Sequence, residues 1–118
     1  MNKYHDKSDF EINKAVAEVL IQSGFIIGIK YHDKHILVTD KYANNYPFDP
    51  CNNPADSMPI IIENKICTAF DVFAEEHDGG NWVASPAYGF SDERVRSDNY
   101  YRAAMICFLM MKDAESES

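Results

Sequence analysis

From Ala103 to Met111 the chain reads Ala-Ala-Met-Ile-Cys-Phe-Leu-Met-Met, nine residues in a row without a charged or amide side chain. Wound as a helix, this stretch is apolar almost all the way round. A surface helix buries one stripe and wets the other face, whereas a helix with no polar face has to be packed on several sides. The run therefore predicts the central element of the core. Ser97 or Asp98 supplies a cap for its start, and it is expected to run to about Met111. It is too short to cross a bilayer, and no other apolar run reaches that length.

The other segments are read by the company they would keep around this helix. Ser8 and Glu11 have capping-box spacing, and Ile12, Val16, Val19 and Leu20 recur at three- and four-residue steps, which predicts a first helix ending at Ser23-Gly24. Phe25–Tyr31 and His35–Thr39 are rich in β-branched residues and predict a hairpin turning through His32-Asp33-Lys34. Tyr42–Tyr46 reads as a polar loop. Asn53 can cap a helix with Pro54 at its first position, where the missing amide costs nothing. Pro59 lies deeper, so it should kink that helix or restart it with Ser57 as a fresh cap. Ile66–Ala74 and Asn81–Tyr88 read as an antiparallel pair across the acidic turn Asp78-Gly79-Gly80, with Pro86 at an edge or bulge. Gly89–Arg96 reads as a loop. The expected class is α+β, a small antiparallel sheet with helices packed on it, in the order α-β-β-α-β-β-α. Residues 1–7 are expected to fray, residues 8–112 to form one globular domain, and residues 113–118 to be an acidic tail. The pentapeptide Lys-Tyr-His-Asp-Lys occurs at Lys3–Lys7 and at Lys30–Lys34. Neither flank matches, so this is no structural repeat.

Charge narrows the function classes. Nineteen acidic against eleven basic residues leave a net charge of −8, the wrong sign for a surface that tracks phosphates. A nucleic-acid partner is therefore disfavoured. The acids gather at Glu75, Glu76 and Asp78, at Asp92 and Glu93, and in the tail. Cys51, Cys67 and Cys107 are odd in number and widely spaced, which fits a reducing compartment and offers no zinc site. No basic-then-apolar leader opens the chain, so the expectation is a cytoplasmic protein without a membrane role.

Candidate chemistry is sparse. His32, His35 and Asp33, with His5, form the histidine-rich patch, but a metal site wants three or four converging ligands. These read better as solvated turn residues. Asp49, Asp56 and Glu63 could form an acid/base pair only if one carboxyl were desolvated. Turn and capping roles suit Asp49 and Asp56 better. Cys51 lies just upstream of a helix N-terminus and looks exposed, yet no histidine neighbours it in sequence. Trp82, Tyr88 and Phe90 could form an aromatic face, while Arg94, Arg96 and Arg102 make only a small basic patch. Asp49, Asn53, Asp56, Trp82 and Arg102 are the candidate binding residues. No catalytic residue, metal or cofactor is expected.

The segment from Phe48 to Ile66 carries a resemblance. Phe48, Pro50, Ala55, Pro59, Ile61, Ile62, Glu63 and Ile66 resemble the NinX family of small lambdoid-phage and prophage proteins. Ser8–Ala17 and Arg102-Ala103-Ala104-Met105 fit the same family, so the likeness spans roughly residues 8 to 112 and is weakest from Phe73 to Asn99. Many relatives have an acid and a tryptophan where this chain has Asn53 and Pro54, and a Gly-x-Thr-Pro entry to the last helix where it has Ser97-Asp98-Asn99-Tyr100. A role resting on that acid or indole does not carry over to Asn53 and Pro54. The resemblance implies a phage-encoded protein made inside a bacterium, and no reaction. The expectation is a non-enzymatic accessory protein binding a host or phage protein. The alternative is a nucleic-acid-linked factor, either a weak DNA binder or an acidic DNA mimic.

Overall fold

A computed structural model describes residues 3–87 and 94–117. Among them the order is α1 (Asp9–Gln22), β1 (Gly28–His32), β2 (His35–Thr39), β3 (Asn45–Pro47), α2 (Pro54–Glu63), β4 (Ile66–Phe70), a 3-10 turn at Glu76–Asp78, β5 (Trp82–Pro86), β6 (Val95–Ser97) and α3 (Tyr100–Glu117). The class is α+β, as expected. The strands, however, form two antiparallel three-stranded sheets, β1-β2-β3 and β4-β5-β6.

Helix α3 is the core. Ala103, Ala104, Met105, Ile106, Cys107, Phe108 and Leu109 are all at most 2% exposed, so every side of the helix is covered. It packs on β4, β5 and β6 across one face and on α1 and α2 elsewhere, while β1 and β2 lean on α1. Burying a large apolar side chain contributes about 1.5–3 kcal/mol, so this helix anchors the domain. It begins later than expected, because Asn99, not Ser97 or Asp98, is the cap: its Oδ1 accepts from the amides of Tyr101 (2.8 Å) and Arg102 (3.2 Å). It also runs past Met111 to Glu117, so part of the expected acidic tail is helical.

Several local readings hold for local reasons. Ser8 Oγ accepts from the Glu11 amide and Glu11 Oε1 from the Ser8 amide, completing the capping box of α1. Asn53 Oδ1 accepts from the Ala55 amide at 3.0 Å, with Pro54 opening α2. Helix α2 is not restarted at Ser57, which is fully buried and donates its hydroxyl back to the Asn53 carbonyl (3.2 Å). Ile60 and Ile61 are buried and Ile62 is 68% exposed, so two of the three isoleucines face the core.

The strand readings needed correction at their ends. β1 starts at Gly28, leaving Phe25 and Ile27 exposed. β3 lies inside and just beyond the expected loop Tyr42–Tyr46, pairing Thr39 with Asn45 and Leu37 with Pro47. β6 falls at the end of the expected loop Gly89–Arg96, whose residues up to Glu93 lie outside the described ones. β4 stops at Phe70, and the chain reaches β5 through a longer excursion instead of a tight Gly79-Gly80 turn. Pro86 closes the central strand of its sheet. Its partner across the ladder is Ile66, and the flanking bond from the Ala87 amide to the Lys65 carbonyl shows that this pair exchanges no ladder bond with β4.

Residues Lys3–Lys7 are also anchored. Tyr4 is buried at 6% exposure and its hydroxyl donates to Asp113 Oδ2 at 2.6 Å. Burial and the Asp113 carboxylate together push the phenol above its ordinary value.

Candidate functional site

Four of the five candidate residues meet in one place. The loop Phe48–Asn53 enters α2 through Asp49, whose carbonyl accepts from the amides of Asn52 (3.1 Å) and Asn53 (2.8 Å). The Asp49 carboxylate accepts from Asn13 Nδ2 (2.7 Å) on α1 and from Asn52 Nδ2 (3.1 Å), and its own amide donates to Asp56 Oδ2 (2.9 Å) on α2. Asn13, only 5% exposed, returns its Oδ1 to the buried Cys51 amide at 3.0 Å. Asn99 Nδ2 donates to the Cys51 carbonyl (2.8 Å) while its Oδ1 caps α3. Arg102 Nη1 lies 2.7 Å from Asp9 Oδ1, and Nη2 donates to the Lys7 carbonyl at 2.6 Å. Asn53 caps α2 at the edge of this network. The result is a polar hub joining α1, the loop, α2, α3 and the N-terminal segment. Asp49 was expected to make a simple local turn. Its carboxylate is instead a long-range tie.

Burial dominates the electrostatics of two groups in the hub. Burial, the largest cause, pushes the Asp56 carboxyl upward, while the Asp49 amide pulls against it. Cys51 is fully buried, contrary to its exposed appearance in sequence, and burial pushes its thiol well up. A thiol kept protonated is a poor nucleophile. Beside the hub a cleft of about 390 Å³ opens between α1 and the β1-β2 hairpin, lined by Phe10, Ile36 and Phe48 and by Asp9, Asp49 and His35. Both of these carboxylates already have donors from within the chain. His32 and His35, read as solvated turn residues, are both exposed and are direct partners across the hairpin end. Among the described residues no group of three or more His, Cys, Asp or Glu side chains could hold a metal ion.

Trp82, the fifth candidate, belongs to a different region. Its ring stacks edge-on between Phe70 (4.9 Å between centroids) and Tyr100 (5.1 Å), and Tyr100 meets Tyr101 in turn. Thr68 Oγ1 donates to the Tyr100 hydroxyl at 2.8 Å, fixing that row to β4. Tyr88 and Phe90, expected beside Trp82, lie outside the described residues. Beyond the row the apolar surface continues into solvent: Phe70 is 52% exposed, Val72 69% and Phe73 88%. The sequence reading placed all three in one strand, Ile66–Ala74, whereas β4 ends at Phe70. The available signal was Asp71 between them and the acids from Glu75 onward, a poor setting for a continued strand. Arg96 anchors the base of this excursion, with Nη2 2.8 Å from Asp71 Oδ2 and Nη1 reaching the Gly80 carbonyl at 3.3 Å. Gly80 has φ +127°, and a Cβ there would lie 2.2 Å from the Ser97 carbonyl carbon, so only glycine fits.

The family model described as Bacteriophage P22, NinX matches residues 3–112. The chain belongs to this family. The match begins at Lys3, five residues before the start of the likeness read from sequence, and so takes in the segment that Tyr4 and Arg102 tie to α3. The NinX match also ends within α3, short of its last turn. No curated protein and no solved structure matches the chain. Among the described residues, no helix is long and apolar enough to cross a membrane.

Proposed function

We propose that this phage accessory protein is non-enzymatic and works by binding a host or phage protein in the host cytoplasm. The observation that carries the reading is the exposure of Phe70, Val72 and Phe73 in one short stretch. Holding large apolar side chains exposed forgoes the burial energy they would gain inside, and exposed apolar side chains clustered in one stretch of chain suit an interaction site. The hub supports the same reading from the other side. Its carboxylates accept hydrogen bonds from within the chain, and its cysteine is buried and protonated. Arg96 and Arg102 are engaged with Asp71 and Asp9, which removes two of the three arginines from the small basic patch and weighs against a nucleic-acid binder.

The test is a tagged capture from infected cells with the wild-type chain and with Phe73→Ser. A stoichiometric protein partner should be recovered with the first and lost with the second. Recovery of none, or equal recovery by both, would overturn the reading.

A further inference from the structure

We infer that the partner binds as an extended segment added to the free edge of β4, and that this segment is apolar with Lys or Arg side chains. The inference rests on the protein-binding reading and specifies its geometry. Among the described residues, β4 is a terminal strand of its sheet, paired with β5 alone. The bonds from the Asp71 amide to the Asn81 carbonyl (2.7 Å) and from the Ala87 amide to the Lys65 carbonyl (3.2 Å) set the parity of that ladder. With the register Ile66↔Pro86 to Phe70↔Trp82, residues 65, 67, 69 and 71 bond to β5. The N–H and C=O groups of Thr68 and Phe70 therefore point away from the sheet, as alternation in an antiparallel pair requires. Such an edge is a template for another strand, and proteins that do not use it usually blunt it with proline, lysine or a bulge. From Ile66 to Phe70 there is no proline and no charge. Strand addition takes affinity from the main chain and specificity from flanking side-chain contacts. Here those contacts are Phe70, Val72 and Phe73, immediately along the same line of chain.

Charge selects the occupant. Residues 71–80 contain Asp71, Glu75, Glu76 and Asp78 and no Lys or Arg. Asp71 is matched by Arg96, while Glu75, Glu76 and Asp78 are exposed, with His77 beside them. The apolar edge thus ends in a negative cluster, and a cationic segment is drawn to it and oriented by it. A second copy of this chain is disfavoured, since each carries −8.

The test selects peptides from a random displayed library on the intact chain, then follows backbone amide exchange while the recovered peptide is titrated. The peptides should be apolar and rich in Lys or Arg. Exchange of the Thr68 and Phe70 amides should slow about tenfold or more on binding. Phe73→Ser should weaken binding about tenfold, and raised salt should weaken it severalfold. Peptides that bind but protect amides elsewhere overturn strand addition and leave the protein-binding reading standing. Acidic or uncharged peptides at the same edge overturn the charge assignment. Protection of Thr68 and Phe70 that grows with protein concentration, without peptide, assigns the edge to a second copy and overturns the inference. If no peptide binds, the inference fails, and capture from infected cells separately decides the broader reading.

Discussion

The hub around Asp49 and the excursion after β4 are opposites. The hub is rich in Asp, Asn and Arg, the residue types from which sites are built, and its polar groups are bonded within the chain. The end of β4 and the excursion carry Phe70, Val72 and Phe73, the types from which cores are built, and leave them exposed. Residue type misleads in both places, because what counts is whether a group's preferred partner is already present. A carboxylate with two donors has little left to offer a ligand, whereas an exposed phenylalanine keeps its whole burial energy in reserve.

The largest effects should come from the core that supports both regions. Ile61→Ala, at 5% exposure, should cost about 2–5 kcal/mol in urea unfolding, while Ile62→Ala, at 68%, should cost about 0.5 or less. Equal costs would mean that α2 presents a different face to α3. Next comes the hub. Asn13→Ala strips one of the two donors from Asp49 and leaves the buried Cys51 amide without its acceptor, so about 2–4 kcal/mol should be lost while partner capture persists in the folded fraction. A folded Asn13→Ala or Asp49→Asn chain that captures no partner would break the contrast, making the hub a binding site after all.

Acid titration sharpens the same contrast with opposite signs. Asp71 is held below the ordinary carboxylate range, chiefly by its hydrogen bond from Arg96. Its contribution is therefore present above the unfolded value near ~4 and is lost as pH falls through the lower folded value. Asp56 is raised by burial, so its protonation favours the folded state and stability gains as pH falls from neutral toward ~4. Asp56→Asn should change stability at neutral pH by no more than about 1 kcal/mol and make the decline on acidification steeper. Asp71→Asn should flatten the decline below ~pH 4. Stability curves against pH for the two variants that bend the same way would contradict these assignments. The smallest stability effect belongs to Phe73→Ser, within about 0.5 kcal/mol, with the loss appearing in partner capture alone.

Much of the fold was legible because its signals are local. The Ser8–Glu11 box, Asn53-Pro54 and the unbroken apolar run of α3 each state their structure within a few residues. The hairpin of β1 and β2 needed two adjacent strands and a turn where Asp33 takes φ +56°. β3 and β6 were missed because each is three residues long and is a strand only by virtue of the strand beside it. The candidate site divides along the same line. The capping role of Asn53 was readable, whereas the bond from Asn13 to Asp49 spans 36 positions and that from Asn99 to Cys51 spans 48.

The sequence by itself determined that α3 must be central, where α1 and α2 begin, and that the chain is α+β, since caps and apolar periodicity act over one or two helical turns. Only the tertiary structure decided which polar residues are satisfied and which apolar ones are not. Both depend on distant segments arriving at the same point: the hub closes because α1, α2 and α3 converge on the Phe48–Asn53 loop. Phe73 stays exposed because β4 ends at Phe70 and no described element covers the chain beyond it.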